Sequence, residues 1–217
     1  MKRNLILFFC CMFAMVLSAK PNPVTFVSGD YSVLKNPDIT LGIELDMSKL
    51  VLDDDNKSWA RHMKEGGSDY ARDWPEEKKK LEKYFGVAYN RKNKKGAKID
   101  FDKKNAEYKI VIRPTSIHLG NRAAAAVHMF ASSWVGGGES SLDDCQIIVV
   151  KRGGAAPAAS SKKGKGKAPA KSAGGSKNVC TYSVGHMKGV SNISETIRIG
   201  VILSSMGTQF GKLVAKQ

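Results

Sequence analysis

Four histidines, a run of aspartates, four cysteines and one long lysine-rich stretch are the side chains in this sequence that could carry chemistry. His62, His118, His128 and His186 are scattered, without the H-E-x-x-H or His-x-His spacing that places two imidazoles on one metal. They read as ordinary surface or core histidines, and no metal or cofactor is expected. Asp53-Asp54-Asp55-Asn56 has the acid density of a calcium loop, but Lys57 and Ser58 stand where such a loop needs alternating oxygen ligands and a glycine. It reads as a turn. Gly136-Gly137-Gly138-Glu139-Ser140-Ser141 lacks the G-x-S-x-G spacing of a nucleophile elbow and the Gly-Lys-Ser/Thr ending of a phosphate loop, so a hinge or tight strand connection is expected there. No carboxylate pair marks a cleft, although glycosidase acids seldom declare themselves by spacing. A non-catalytic protein is therefore expected, with a secreted hydrolase of dispersed acidic catalytic residues as the alternative.

The lysines are concentrated. Of the formal +15, Lys2 and Arg3 contribute two charges and the stretch 151–177 contributes eight with no acid, leaving +5 for the rest of the chain. Residues 153–176 are almost wholly Gly, Ala, Ser, Pro and Lys. With no large apolar side chain to bury, they cannot offset the entropy of ordering and are expected to form a disordered insertion in a hairpin. Closure entropy grows only with the logarithm of length, so a hairpin tolerates it. Lys162, Lys163, Lys165, Lys167 and Lys171 are the candidate polyanion-binding residues, their partners being lipopolysaccharide phosphates, other acidic polymers or nucleic acid. The competing reading is a solvated spacer.

Cys10 and Cys11 lie inside the first apolar run, which leaves Cys145 and Cys180 on either side of the basic stretch as a candidate disulfide. Two registers stay open. Cys145 directly opposite Cys180 would place Val150 opposite Gly175 and draw the insertion into the ladder. Lys151 opposite Asn178 suits the strand composition better, but it puts Cys180 opposite Val149 with the sulfurs ~13 Å apart, out of bonding reach.

The elements that must position these groups begin after a leader. A basic Met1–Asn4, uncharged residues from Leu5 to Leu17 and small Ser18-Ala19 make the three-part order of a cleavable secretory signal, with cleavage expected after Ala19. The apolar run is shorter than the ~20 residues that cross a bilayer, and no small-residue lipid-attachment site precedes Cys10. A single exported domain over 20–217 is expected, soluble, and periplasmic, secreted or associated with the outer membrane.

Within it, Val24–Ser28 and Ile39–Asp46 read as strands, the second with alternating Ile39, Leu41, Ile43 and Leu45. A short helix over 58–64 is ended by Gly66-Gly67, and Asp73-Trp74-Pro75-Glu76 opens a longer one with Leu81, Tyr84, Phe85 and Ala88 facing the core and its lysines facing water. Tyr108–Arg113 is a strand with Pro114 at its exit; over Ala123–Trp134 four alanines favour a helix while Val127, Met129 and the glycine-bounded end favour the strand expected there; and Gln146–Val150 pairs antiparallel with Val179–Val184. Asn192 and Glu195 have capping-box spacing, opening a last helix that buries Ile199, Ile202, Met206, Phe210 and Leu213. The sum is an α+β fold: a mixed, largely antiparallel sheet of about five strands with two main helices packed on it.

Lys83-Tyr84-Phe85, Gly96-Ala97-Lys98-Ile99, Ala106 to Ile112, Ile117 to Asn121, the glycine-rich turn, Cys145 to Val150, Gly185 to Gly189 and Arg198 to Lys212 follow one another in an order that resembles small exported bacterial proteins of unassigned function. It is similar to the envelope families whose fold relates to the TolB amino-terminal and curli-assembly secretion domains. The resemblance covers most of the mature chain and implies a location and an architecture: an envelope binding or assembly module, a mixed sheet with helices on it, and other envelope proteins as partners. The lysine-rich insertion departs from that pattern, as does His118, where an acidic residue is expected.

Overall fold

The computed structural model describes residues 22–52, 56–103, 105–120, 140–153, 177–190 and 194–217. In chain order the elements are β1 (Val24–Gly29), α1 (Ser32–Lys35), β2 (Thr40–Leu45), β3 (Val51–Leu52), β4 (Lys57–Ser58), α2 (Trp59–Glu65), α3 (Gly67–Lys92), β5 (Lys98–Ile99), β6 (Tyr108–His118), β7 (Ser141–Lys151), β8 (Lys177–Val184), β9 (Met187–Lys188) and α4 (Glu195–Lys216). The leader and the strand expected over Ala123–Trp134 lie outside the described residues.

Alternation makes the sheet. Leu41, Ile43 and Leu45 of β2 run parallel to Tyr108, Ile110 and Ile112 of β6, and Ile147 and Val149 of β7 sit opposite Ile112 and Ile110. One face is thereby apolar in every central strand. The path is β1-β8-β7-β6-β2-β5, with β3 continuing along β6 beyond β2 and β9 along β7. The sheet is mixed, as read from the sequence, but among the described residues it has nine strands rather than about five. The additional ones are two-residue pieces whose short length gives no periodic signal, and three of its pairings are parallel.

Proline placement corrects two expectations. Pro114 lies within β6 and not at its exit: it sits opposite Cys145 where the register shifts, so its missing N–H falls at a bulge. Pro75 lies inside α3, which begins at Gly67, six residues before the Asp73-Trp74-Pro75 signal. The lost hydrogen bond is offset by packing, since the preceding Trp74 meets Trp59 of α2 at a ring separation of 4.8 Å. Gly67 therefore opens α3 directly, with only Gly66 capping α2. The cap of α4 is Ser194, extended at φ −79° and ψ 121°, whose hydroxyl accepts from the Ile197 amide; Asn192 lies outside the described residues.

Two long helices cover the apolar face. Leu81, Phe85, Ala88 and Tyr89 of α3 and Ile199, Ile202, Met206 and Phe210 of α4 are buried, but Tyr84, expected in the same stripe, is 42% exposed. Their aromatic centre is Phe85, Tyr89, Phe210 and Tyr182 of β8, with ring separations of 4.8 to 6.4 Å. Burying one such ring contributes ~2–3 kcal/mol. The helices approach closely because α4 carries Gly200, Gly207 and Gly211 at the crossing: a Cβ on Gly211 would lie 2.8 Å from the Tyr89 carbonyl oxygen, and one on Gly207 would overlap that of Phe85. On the opposite face of the sheet Val111, Ile148 and Val150 form a small cluster beside the Lys109–Glu44 and Arg113–Asp46 ion pairs.

Candidate functional site

The five candidate lysines, Lys162, Lys163, Lys165, Lys167 and Lys171, lie outside the described residues, as do His128, Asp53 to Asp55 and Gly136 to Glu139. The strands that bracket the basic stretch are described: Lys151 pairs with Lys177, so the segment leaves and re-enters at one rung of a hairpin. Cys145 and Cys180 are both free and buried, Cys145 opposite Val184 and Cys180 opposite Val149, four residues along β7 from Cys145. A bulge at Val149/Val150 lets Val150 meet Asn178 while Lys151 meets Lys177, close to the second of the two registers. The candidate disulfide is accordingly not formed. Burial pushes both thiols up, Cys180 to about 11, so they stay protonated at neutral pH and are poor nucleophiles.

At the end of the sheet nearest the start of α4, charged side chains are buried together. Glu195, in the first turn where a carboxylate complements the helix dipole, is 6% exposed and holds Nε2 of His62 at 3.0 Å. Arg198, one turn on and 1% exposed, donates through Nη1 to the carbonyl oxygens of Leu119 and Gly120. These contacts tie α2, the end of β6 and α4 to one another. Beside them a hollow of about 250 Å³ is lined by Asp46, Ser48, Trp59, Trp74 and Lys78. Burial alone would raise the Asp46 carboxyl, but the Ser48 hydroxyl and amide and the Arg113 guanidinium outweigh it and hold it below the usual carboxylate range. Glu82 goes the other way: burial raises it, although it accepts the Leu45 amide at 2.9 Å. Among the described residues no three His, Cys, Asp or Glu side chains group as metal ligands.

A larger polar concavity lies elsewhere, about 610 Å³ between β9 and the second half of α4. Gln209, Lys212 and Lys216 line its α4 wall, Lys188 of β9 and His186 face them, and Asn22 closes the end near β1. Positions 205, 209, 212 and 216 follow helical spacing, so Ser205, Gln209 and two cations share one strip. The helix dipole accounts for a cation in the last turn, but Lys188 comes from another element and converges on the same space. His186 is engaged through Nδ1 with Asp143 at 2.6 Å. Three ammonium groups, two amides and a hydroxyl suit an anion with several oxygens. The sequence signal for this cleft was only the Ser205, Gln209, Lys212, Lys216 spacing on the polar side of a helix, and Lys188 could be joined to it only through the fold.

No family model matches the sequence, and no curated protein matches it. Among solved structures the chain is similar to the PelC dodecamer from Paraburkholderia phytofirmans, at a TM-score of 0.38 and 11% identity over 86% of this chain and 96% of that one. A single-substitution variant of the same protein gives 0.35 and 12% over 89% and 98%. Likeness at that level does not define a shared fold. No helix among the described residues is long and apolar enough to cross a membrane.

Proposed function

We propose that this chain is an exported, non-catalytic module of the bacterial envelope that binds acidic polymers. The observation that carries the reading is the convergence of Lys188 from β9 with Lys212 and Lys216 from α4 on one concavity furnished with neutral hydrogen-bonding groups. Two packed elements hold the three backbone positions around one space, so positive charge is concentrated there before an anion arrives. The leader supports export, and the basic stretch 151–177 supports a second, less specific contact with the same class of partner.

Calorimetric titration with inorganic tripolyphosphate, polygalacturonate and a single-stranded oligonucleotide tests it and sorts phosphate from carboxylate polymers. Lys212→Glu with Lys216→Glu is expected to weaken the preferred probe by about ten-fold or more, since two attractions become repulsions. Deleting 154–176 should lower affinity for long polymers while leaving tripolyphosphate affinity in place. Equal affinity of the parent and the double variant for all three probes would refute the cleft.

A further inference from the structure

The outer surface of the two-helix layer carries a second feature, which soluble polymers do not explain. Lys80, Tyr84, Val87 and Arg91 recur at i, i+4, i+7 and i+11 on α3, so they form one strip with a cation at each end. Its middle is apolar and open to solvent, Tyr84 being 42% exposed and Val87 59%; on α4, Ile197, one turn before Val201, is 41% exposed. Between the helices runs a groove of about 430 Å³ floored by Tyr84, Val87 and Ala88, walled by Ser204, and flanked by Lys83 and Arg91. It continues past Val201 to Thr208. Tyr84 is turned outward over Gly200, where an added Cβ would lie 2.7 Å from its ring.

Charge decides what can cover this face. No acid lines the groove, and the nearby Glu77 is already engaged by Lys80 at 2.6 Å. Among the described residues Lys83 and Arg91 have no ion-pair partner. A second copy docking symmetrically across the groove would bring the same cations to face them, which disfavours self-association. Large apolar side chains between unpaired cations instead match a surface that is apolar below and anionic above.

We propose that this face docks on a membrane containing anionic lipid, with Tyr84, Val87 and Ile197 entering the headgroup boundary and Lys83 and Arg91 meeting lipid phosphates. The groove's continuation meets the lysine cleft at Ser205, but Lys83, Tyr84, Val87 and Arg91 do not line the cleft and the proposal does not rest on it.

The test is co-sedimentation of the full chain with phosphatidylcholine vesicles with and without phosphatidylglycerol, for the parent, Val87→Glu, and Lys83→Glu with Arg91→Glu. These substitutions are at exposed positions, and unchanged thermal unfolding confirms that each variant is folded. The parent should bind only the vesicles that contain phosphatidylglycerol, and each variant should bind them about ten-fold more weakly. Tripolyphosphate affinity should be untouched by Val87→Glu, so failure here is distinguishable from failure of the cleft. Four results would overturn the proposal: no binding by the parent, equal binding to neutral vesicles, unchanged binding by Val87→Glu, or a change in oligomeric mass with Val87→Glu, which would assign the face to a second copy.

Discussion

Gly207 of α4 lies directly against the backbone carbonyl of Phe85 in α3, so that the space a Cβ would need is already filled by the neighbouring helix. Gly211 repeats the relationship one turn later against Tyr89. This approach brings Phe210 onto Phe85, Tyr89 and Tyr182, and it fixes where the outer groove and the lysine cleft open.

Gly207→Ala should therefore separate the helices despite alanine's better helix propensity. Overpacking of this kind costs ~1–3 kcal/mol, against ~1 kcal/mol gained in propensity. Thermal unfolding should move down by a few degrees, about 2–4 °C for each net kcal/mol. Gly185→Ala, whose nearest neighbour to an added Cβ is 3.8 Å away, is the control and should leave the midpoint within about a degree. Equal behaviour of the two variants would contradict the packing account.

Glu82 gives a pH signature. Its folded pKa is raised by burial, so its protonated form favours the fold: that contribution is complete below the unfolded value of ~4.3 and is lost as pH rises through the raised folded value. Glu82→Gln keeps an oxygen to accept the Leu45 amide without the cost of a desolvated charge. The variant should unfold at a higher temperature than the parent at pH 7, with the gap closing below about pH 4. Denaturation curves across that range check it, and a variant less stable at pH 7 would show that the Lys78 contact outweighs burial.

The thiols supply a third check. Cys145 and Cys180, both buried with pKa values pushed up, should be inert to a thiol reagent in the native protein and both react after denaturation. Non-reduced and reduced monomer should migrate alike. A mobility shift would restore the disulfide that the strand register excludes.

Sequence pattern reached the fold further than the site. Strand β2 and helix α4 were legible because one buried face repeats along each of them at a period of 2.0 or 3.6, and β7 because Ile147 to Val150 are β-branched and buried on both faces. Tyr84 misled because a stripe of i, i+3 and i+4 residues does not say where a neighbouring helix stops covering it; here Gly200 lets the ring lie over α4 with its edge in solvent. Pro75 and Pro114 misled because both are absorbed by tertiary context, a tryptophan contact and a bulge. The Glu195–His62 pair joins residues 133 positions apart, and Arg198 reaches 79 positions back to Leu119, so no local spacing announces them. The lysine cleft was hidden for the same reason, its two walls being separate elements whose charges look like solvated surface when read singly.

The central claim, that Lys188, Lys212 and Lys216 receive an acidic polymer, is tested most directly by the salt dependence of binding. A single-stranded oligonucleotide is titrated into the full chain and into the Lys188→Gln, Lys212→Gln, Lys216→Gln triple variant over a range of salt concentrations. Each phosphate contact contributes a slope of about −0.7 in log affinity against log salt on a single strand, so losing three contacts should flatten the slope by roughly 2 units and weaken binding most at low salt. Identical slopes and affinities for the two proteins would mean that the anion is held elsewhere and would contradict the account.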